Sequence, residues 1–456
     1  MSKHSKKASL PPHLRHININ AAGIDIGSNS HFVSVPEDRD KHPVREFKSF
    51  TGDLHELAAW LKKCGIETVA MESTGVYWIP LYELLEEAGF EVLLVNAHHV
   101  KNVSGRKSDV LDCQWIRELH TYGLLSGAFR PSKEICELRA YVRQRSNLVR
   151  FASSHIQHMQ KALDLMNVRL HNVISDITGT TGQKIIRAIL NGEHDPKILA
   201  QYRDGRCKQS IEVIEKSLVG HYKKEHLFSL KQAVELYDFY QCKVEDCDTA
   251  IESLLSQWTP VVSEEALALP KRRKTKSSPK FEISHYLYDQ CGVNLTSIDG
   301  IDALSVLKII SEVGTDMSRW KSEKCFGSWM GLAPGTKISG GKVLKRSTKS
   351  SANRAAAILR ICATSLYNSP SALGAFSRRM KRKLGSPKAV TATAYKLAKL
   401  IYRMLNQKIS YHDMGQDYYE QRYKERLLRS LKRKAALLGH ELFPIELLKN
   451  KELEIC

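Results

Sequence analysis

NAAGIDIGSNSHFVSVP, residues 20–36, is the stretch whose reading decides the fold. Its two apolar, β-branched runs, NAAGIDIGS (20–28) and HFVSVP (31–36), predict two strands. Asp25 falls in the middle of the first, flanked by Gly23, Ile24, Ile26 and Gly27. A carboxylate inside an apolar strand is costly unless something compensates it. The segment that begins a sheet therefore also marks a place where chemistry is expected.

Reading outward, REFKSF (45–50) predicts a third strand, and TGDLHELAAWLKKCG (51–65) a helix with Leu54, Leu57 and Leu61 on one face. IETVAMES (66–73) reads as a buried strand, IPLYELLEEAG (79–89) as a helix and FEVLLVNA (90–97) as a strand. SDVLDCQWIRELHTYG (108–123) is a helix closed by Gly123. Three consecutive strands suit an antiparallel meander, and the later strand-helix-strand units suit parallel crossovers. This is the element order of a ribonuclease H-like α/β domain.

Glu72 ends the fourth strand, and Asp109 and Asp112 stand three apart near the start of the last helix, on one face. In a ribonuclease H-like sheet the first and fourth strands are neighbours, and the helix after the fifth packs across their ends. Asp25, Glu72, Asp109 and Asp112 would then meet. Four clustered carboxylates repel unless divalent cations sit among them, and an all-oxygen set suits Mg²⁺ or Mn²⁺. Two such ions would serve phosphodiester chemistry. Taken singly, Asp109 and Asp112 could simply favour a helix N-terminus, and Asp25 could be a turn residue. Lys101, Arg106, Lys107 and Arg117 are candidates for phosphate contact or for ordinary solvated charge.

The rest of the chain changes character. Residues 134–168 lack Gly and Pro and predict one long amphipathic helix. Residues 208–258 read similarly, with Ile211, Ile214 and Leu218 spaced for one face, and a capped helix lies between the two. This is a helical arm, a candidate coiled coil and dimerisation element. LPKRRKTKSSPK (269–280) is a charge run, a solvated linker or a nucleic-acid contact. LTSIDGIDALSVLKIISEVG (295–314) predicts a short helix, a turn at Gly300 and a second helix. Alanine-rich helices follow at 351–367 and 388–405.

The expected domains are a disordered basic arm (1–19), the α/β domain (20–130), the helical arm (131–268), a basic linker (269–290), a mainly α-helical C-terminal domain (291–407) and a basic helical tail (408–456). For the aromatic Trp78, Trp115, Trp320 and Trp329, core packing is the default reading.

Lys and Arg number 69 against 49 Asp and Glu, a formal charge of +20 that points to a polyanionic partner. No apolar run approaches the roughly 20 residues that cross a bilayer. The 10 cysteines are scattered without zinc-ligand spacing, which suits a reduced cytosolic compartment.

GTKISGGKVLKRST (335–348) is a Gly-rich loop or hairpin, with Ser339 just before Gly340 and Gly341. Lys337, Lys342, Lys345 and Arg346 would offset phosphate charge, and glycine lets a backbone approach a phosphate closely. Ser339 is a candidate nucleophile. From the residues alone, an ordinary surface serine on a hairpin is the commoner case.

In order, GIDIGSNSHFVSVP (23–36), AMESTGVYWIPLYELLEEAGFEVLLVNA (70–97), KSDVLDCQWI (107–116), SDITGTTGQKIIRAIL (175–190), SIDGIDALSVLKIISEVG (297–314) and GLAPGTKISGGK (331–342) resemble the DEDD transposases of the insertion-sequence one-ten family. The resemblance implies a RuvC-like nuclease domain, a helical arm and a C-terminal transposase domain. It implies that Asp25, Glu72, Asp109 and Asp112 are the metal-binding acids and that Ser339 is the nucleophile. It further implies double-stranded DNA partners, both element ends and target, and a structured bridge RNA that pairs with donor and target. Dimers that pair into a tetramer are implied, the serine of one subunit completing the acidic site of another. So is a bacterial, cytoplasmic, nucleoid-associated setting. One departure is local: residues 300–302 read GID where members commonly have GIG, so Asp302 replaces a glycine.

Two other readings compete with a recombinase that forms a phosphoserine. One is a hydrolytic nuclease of the junction-resolving type, with Ser339 incidental. The other is a nucleic-acid-binding protein without catalysis.

Overall fold

The computed structural model describes residues 17–96, 109–261, 278–348 and 353–443. The chain divides into two compact units, Met1–Arg130 and Pro131–Cys456.

The first unit is built on a five-stranded mixed sheet. Its strands are β1 (Ala21–Ile26), β2 (Ser30–Ser34), β3 (Val44–Lys48), β4 (Thr68–Glu72) and β5 (Glu91–Val95), in the order β3-β2-β1-β4-β5. β1 runs antiparallel to β2 and parallel to β4, and β4 runs parallel to β5. Helices α1 (Thr51–Lys63) and α2 (Trp78–Glu87) serve as the crossovers. They cover one face, where Ile24, Ile26, Val69 and Met71 meet Leu57, Leu61, Leu81 and Leu85 in one buried cluster.

Strand side chains alternate, so residues 23 and 25 of β1 and 70 and 72 of β4 share the opposite face. Helix α3 (Asp109–Thr121) lies on that face, with Ile116 packed against Ala70 and Val95. Ile17 and Asn18, expected within a disordered arm, are tied down instead. Their backbone N–H groups donate to the Thr121 carbonyl at 2.9 and 3.1 Å.

The second unit is mainly helical. Helices α4 (Lys133–Leu165), α5 (Leu170–Val173), α6 (Thr180–Leu190), α7 (Pro196–Ala200), α8 (Ile211–Leu218) and α9 (Lys224–Ser256) form its first part. α4 and α9 pack antiparallel along their length, Met159 and Leu163 lying in one cluster with Leu230 and Val234. The long helix expected at 208–258 is broken between α8 and α9. A side chain at Gly220 would stand 2.4 Å from the Met166 carbonyl oxygen, so this close approach demands glycine. Arg145 of α4 and Asp248 of α9 form an ion pair that is nearly sealed from solvent.

Helices α10 (Ile283–Cys291), α11 (Ala303–Val313), α12 (Glu323–Trp329), α13 (Arg354–Ser365), α14 (Ala372–Leu384), α15 (Ser386–Gln407) and α16 (Gly415–Leu437) complete the unit. The expected basic linker therefore ends in a helix, whose Ile283, Leu287 and Cys291 are buried. Gly300 makes its turn with φ of +80°. Asp302, the departure from GIG, caps α11 by accepting a hydrogen bond from the Ser305 backbone N–H at 2.8 Å. At the other end of α11, Arg139 of α4 donates to the Ser311 and Glu312 carbonyls, and Arg143 forms a two-pronged pair with the Glu312 carboxylate. Trp320 is buried edge-on against Phe326.

Candidate active site

Asp25 is the one residue of β1 that is not fully buried; Ile24 and Ile26 beside it are sealed. The parallel register pairs Ile24 with Met71, and one residue further along brings Asp25 level with Glu72 at the ends of adjacent strands. Glu72 accepts a hydrogen bond from Thr74 Oγ1 at 3.2 Å.

The third element is α3, which crosses β1 in close contact. A Cβ on Gly23 would lie 2.3 Å from the Arg117 backbone nitrogen and 2.4 Å from the Cys113 carbonyl oxygen. Glycine inside a strand signals such a backbone approach. Here it lets the helix settle directly onto the strand, with Asp109 and Asp112 in its first turn. The buried Thr68 hydroxyl of β4 and His120 Nε2 of α3, 2.9 Å apart, fasten the other end of the helix to the sheet. Nothing in the sequence marks Thr68 or His120 for this role, and Gly23 is visible there only as a neighbour of Asp25. The strand glycine was the available signal.

The other acids act on Asp25 electrostatically. Burial, then Asp109, Asp112 and Glu72 in turn, push the Asp25 carboxyl up to about 6 from the usual 3.8, against a hydrogen bond from the Ile26 backbone. Burial and the nearby Asp25 push the Cys113 thiol up to about 12, so it stays a neutral packing group. Asp25 thus lies close enough to three other carboxylates for its own ionisation to be disfavoured. Among the described residues, however, no group of three or more His, Cys, Asp or Glu side chains forms a set that could hold a metal ion. The donor set is nonetheless all oxygen, which matches a hard divalent cation, and such an ion would relieve the repulsion felt by Asp25.

Of the expected phosphate contacts, Lys101, Arg106 and Lys107 lie outside the described residues. Arg117 sits on α3, its Nε buried without a hydrogen-bond partner among the described residues.

In the second unit Ser339 ends β6 (Pro334–Ser339), which pairs antiparallel with β7 (Lys342–Thr348). Ser339 and Lys342 face each other across Gly340 and Gly341, whose φ values are +53° and +73°. Two residues with positive φ make the turn that fits a twisted hairpin, and glycine takes it without a Cβ penalty. Ser339 and Lys342 are exposed, as are Ile338 and Leu344. Lys337 pairs with Lys345 and Thr336 with Arg346 in the backbone register. The side chains of Lys337, Lys345 and Arg346 lie outside the described set.

No helix among the described residues is long and apolar enough to cross a membrane. No curated protein matches the chain. Two family models do. A transposase model, that of the DEDD transposases of IS110, matches residues 22–168. The model of the transposase IS116/IS110/IS902 family matches residues 293–377. The first span contains Asp25, Glu72, Asp109 and Asp112, the second contains Ser339, and together they take in just over half of the chain. The chain belongs to the IS110 family of transposases.

Proposed function

We propose that this transposase cuts and rejoins DNA strands through a divalent-metal centre on a ribonuclease H-like, RuvC-like first unit. Asp25, Glu72, Asp109 and Asp112 would hold Mg²⁺, or Mn²⁺ in its place. The observation that carries this reading is the Asp25 carboxyl, held near 6 by burial and three neighbouring carboxylates. The bound cation would supply charge stabilisation at the attacking and leaving oxygens of a phosphodiester. Asp25 fixes one end of the set on a rigid strand. Asp109 and Asp112 come with α3, whose seat on Gly23 sets their distance from the sheet.

The nucleophile in this proposal is Ser339. Its hydroxyl oxygen forms a bond to phosphorus and gives up its proton, while the bond from phosphorus to the leaving strand's oxygen breaks and that oxygen takes up a proton. The resulting phosphoserine keeps the energy of the ester, so rejoining needs no external supply. Lys342, next to the turn, would offset phosphate charge. On the resemblance, target choice is delegated to base pairing with a bridge RNA, and the protein grips backbone and shape. The net charge of +20 suits that division. Subunits assembled as dimers or tetramers would supply the serine to one another's acids.

Ser339→Ala separates this reading from a hydrolytic nuclease. The account expects loss of the covalent protein-DNA adduct together with loss of recombination in Mg²⁺ buffer. Full recombination by Ser339→Ala would reject the serine route, and full strand cutting by Asp25→Asn would reject the acidic centre. Sequencing RNA that copurifies with the protein tests the guide: one discrete species supports it, and random cellular RNA rejects it.

A further inference from the structure

A second site lies outside both the acidic face and the serine hairpin, on helices that extend past the family-matched residues. Helices α14, α15 and α16 enclose a cavity of about 580 Å³. That volume falls within the roughly 300–1,000 Å³ of pockets that take small ligands. Four of its lining residues are cations, Arg379, Lys396, Arg422 and Arg426, and none is a carboxylate. The nearest acid acting on Lys396 is Asp413. Its oxygens are already engaged, accepting from the Ala372 and Gly415 backbone N–H groups and from the Tyr411 hydroxyl. Lys399, on the same helix, is paired with Glu323. Among the described residues, Arg379, Arg422 and Arg426 therefore form no ion pair, and Asp413 offsets the Lys396 charge only in part.

Aromatic rings hold these cations in place. The Arg379 guanidinium lies 4.3 Å from the Tyr423 ring centroid and 5.7 Å from that of Tyr419, and Lys396 Nζ lies 4.5 Å from Phe376. Arg422 donates to the Tyr418 hydroxyl at 3.1 Å, so one cation and one exposed ring form a unit at the mouth. Arg379 Nε and the Tyr419 hydroxyl are buried without hydrogen-bond partners among the described residues. Burial, with Arg379 and Arg426 close by, lowers the Lys396 ammonium below its usual 10.5. Crowded cations and unanswered polar atoms make a site that an anion would relieve. Flat rings beside that anion site suit a π-faced group attached to it.

We propose that this cavity binds one nucleotide of a single-stranded nucleic acid, the phosphate between Lys396, Arg422 and Arg426 and the unstacked base on Tyr418. A duplex keeps its bases stacked inside and cannot offer that pair of groups. DNA and RNA share this chemistry. The site does not depend on the acidic centre or on Ser339, so it can fail or stand independently of the proposed strand chemistry.

The test is fluorescence anisotropy on the full chain, with labelled 12-nucleotide oligo-dT, oligo-rU and a duplex of equal length. The variants alter exposed residues, and their circular dichroism and melting temperature should match the parent's. Arg422→Gln/Arg426→Gln is expected to weaken single-strand binding about tenfold and to lower the salt slope by about 1.4, since each lost phosphate contact removes about 0.7. Tyr418→Ala is expected to weaken it at least fivefold, in line with base stacking on an aromatic ring. Lys432→Gln/Arg433→Gln, the same charge change further along α16, should cost less than twofold. The preferred oligomer, dT or rU, identifies the source of the strand. The proposal is overturned if both charge pairs lose binding equally, if Tyr418→Ala binds as well as the parent, if duplex binding falls in parallel, or if polyglutamate competes as well as the oligonucleotides.

Discussion

The two candidate halves of the chemistry are built in opposite ways. The acids sit on a packed sheet, where one strand and one helix touch backbone to backbone at Gly23. The serine sits at the tip of an exposed two-stranded hairpin, where Gly340 and Gly341 have no heavy atom near the place a Cβ would occupy. A metal centre would need several ligands held to fractions of an ångström, and a packed sheet can supply that. A nucleophile that had to meet a large substrate would need access, which an exposed hairpin offers.

Four comparisons sharpen or break that contrast. The largest effect is expected from Asp25→Asn, a loss of strand cleavage of about a thousandfold, of the order expected when several kcal/mol of transition-state charge stabilisation are removed. A gel assay with labelled element ends in Mg²⁺ reads it. Next come two glycines. Gly23→Ala drives a Cβ into the α3 backbone and should cost more than about 3 kcal/mol, the upper end of ordinary overpacking. Gly341→Ala meets open space and should cost about 1 kcal/mol, the strain of a positive φ. Chemical denaturation compares them, and equal costs would erase the distinction between packed site and free hairpin.

The third concerns the arm. Asp248→Ala strands Arg145 in a sealed interface between α4 and α9 and should cost about 3–5 kcal/mol. Leu344→Ser on the exposed hairpin should stay within about 0.5 kcal/mol. The fourth is a pH signature. The folded Asp25 carboxyl is raised to about 6 against 3.8 for the free group, so the native state holds its proton more tightly than the unfolded chain. Its ionisation therefore penalises the metal-free fold fully above about 6, and the penalty fades as pH falls towards 3.8. Asp25→Asn should raise the metal-free melting temperature at pH 7.5, with the gain shrinking below pH 6 and gone near pH 4. A gain independent of pH would mean that the carboxylates do not act on one another.

Much of the first unit was readable from period and order alone. The element order puts β1 beside β4, as the sheet has them, which brings Asp25 level with Glu72 on adjacent strands. What could not be read was how closely α3 approaches, because the space above Gly23 exists only once helix and strand are packed. Other misses also arise from tertiary contact. The break after α8 is set by Gly220 against Met166, partners far apart in the chain. Helix α14 went unrecognised because SRRMKRKL hides its apolar stripe, although Ser371 caps it by accepting from the Gly374 N–H. Ile283, Leu287 and Cys291 had the spacing of a helix but followed a charge run that read as linker.

Manganese binding to the full chain, followed by the loss of the free-ion electron paramagnetic resonance signal, tests the central claim most directly. The account predicts saturable binding at pH 7.5 that weakens at least tenfold in Asp25→Asn and in Glu72→Gln, as expected when one carboxylate of a shared ion is lost. It predicts no change in Asp53→Asn, an acid in the first turn of α1. Parent-like affinity in both Asp25→Asn and Glu72→Gln would contradict it.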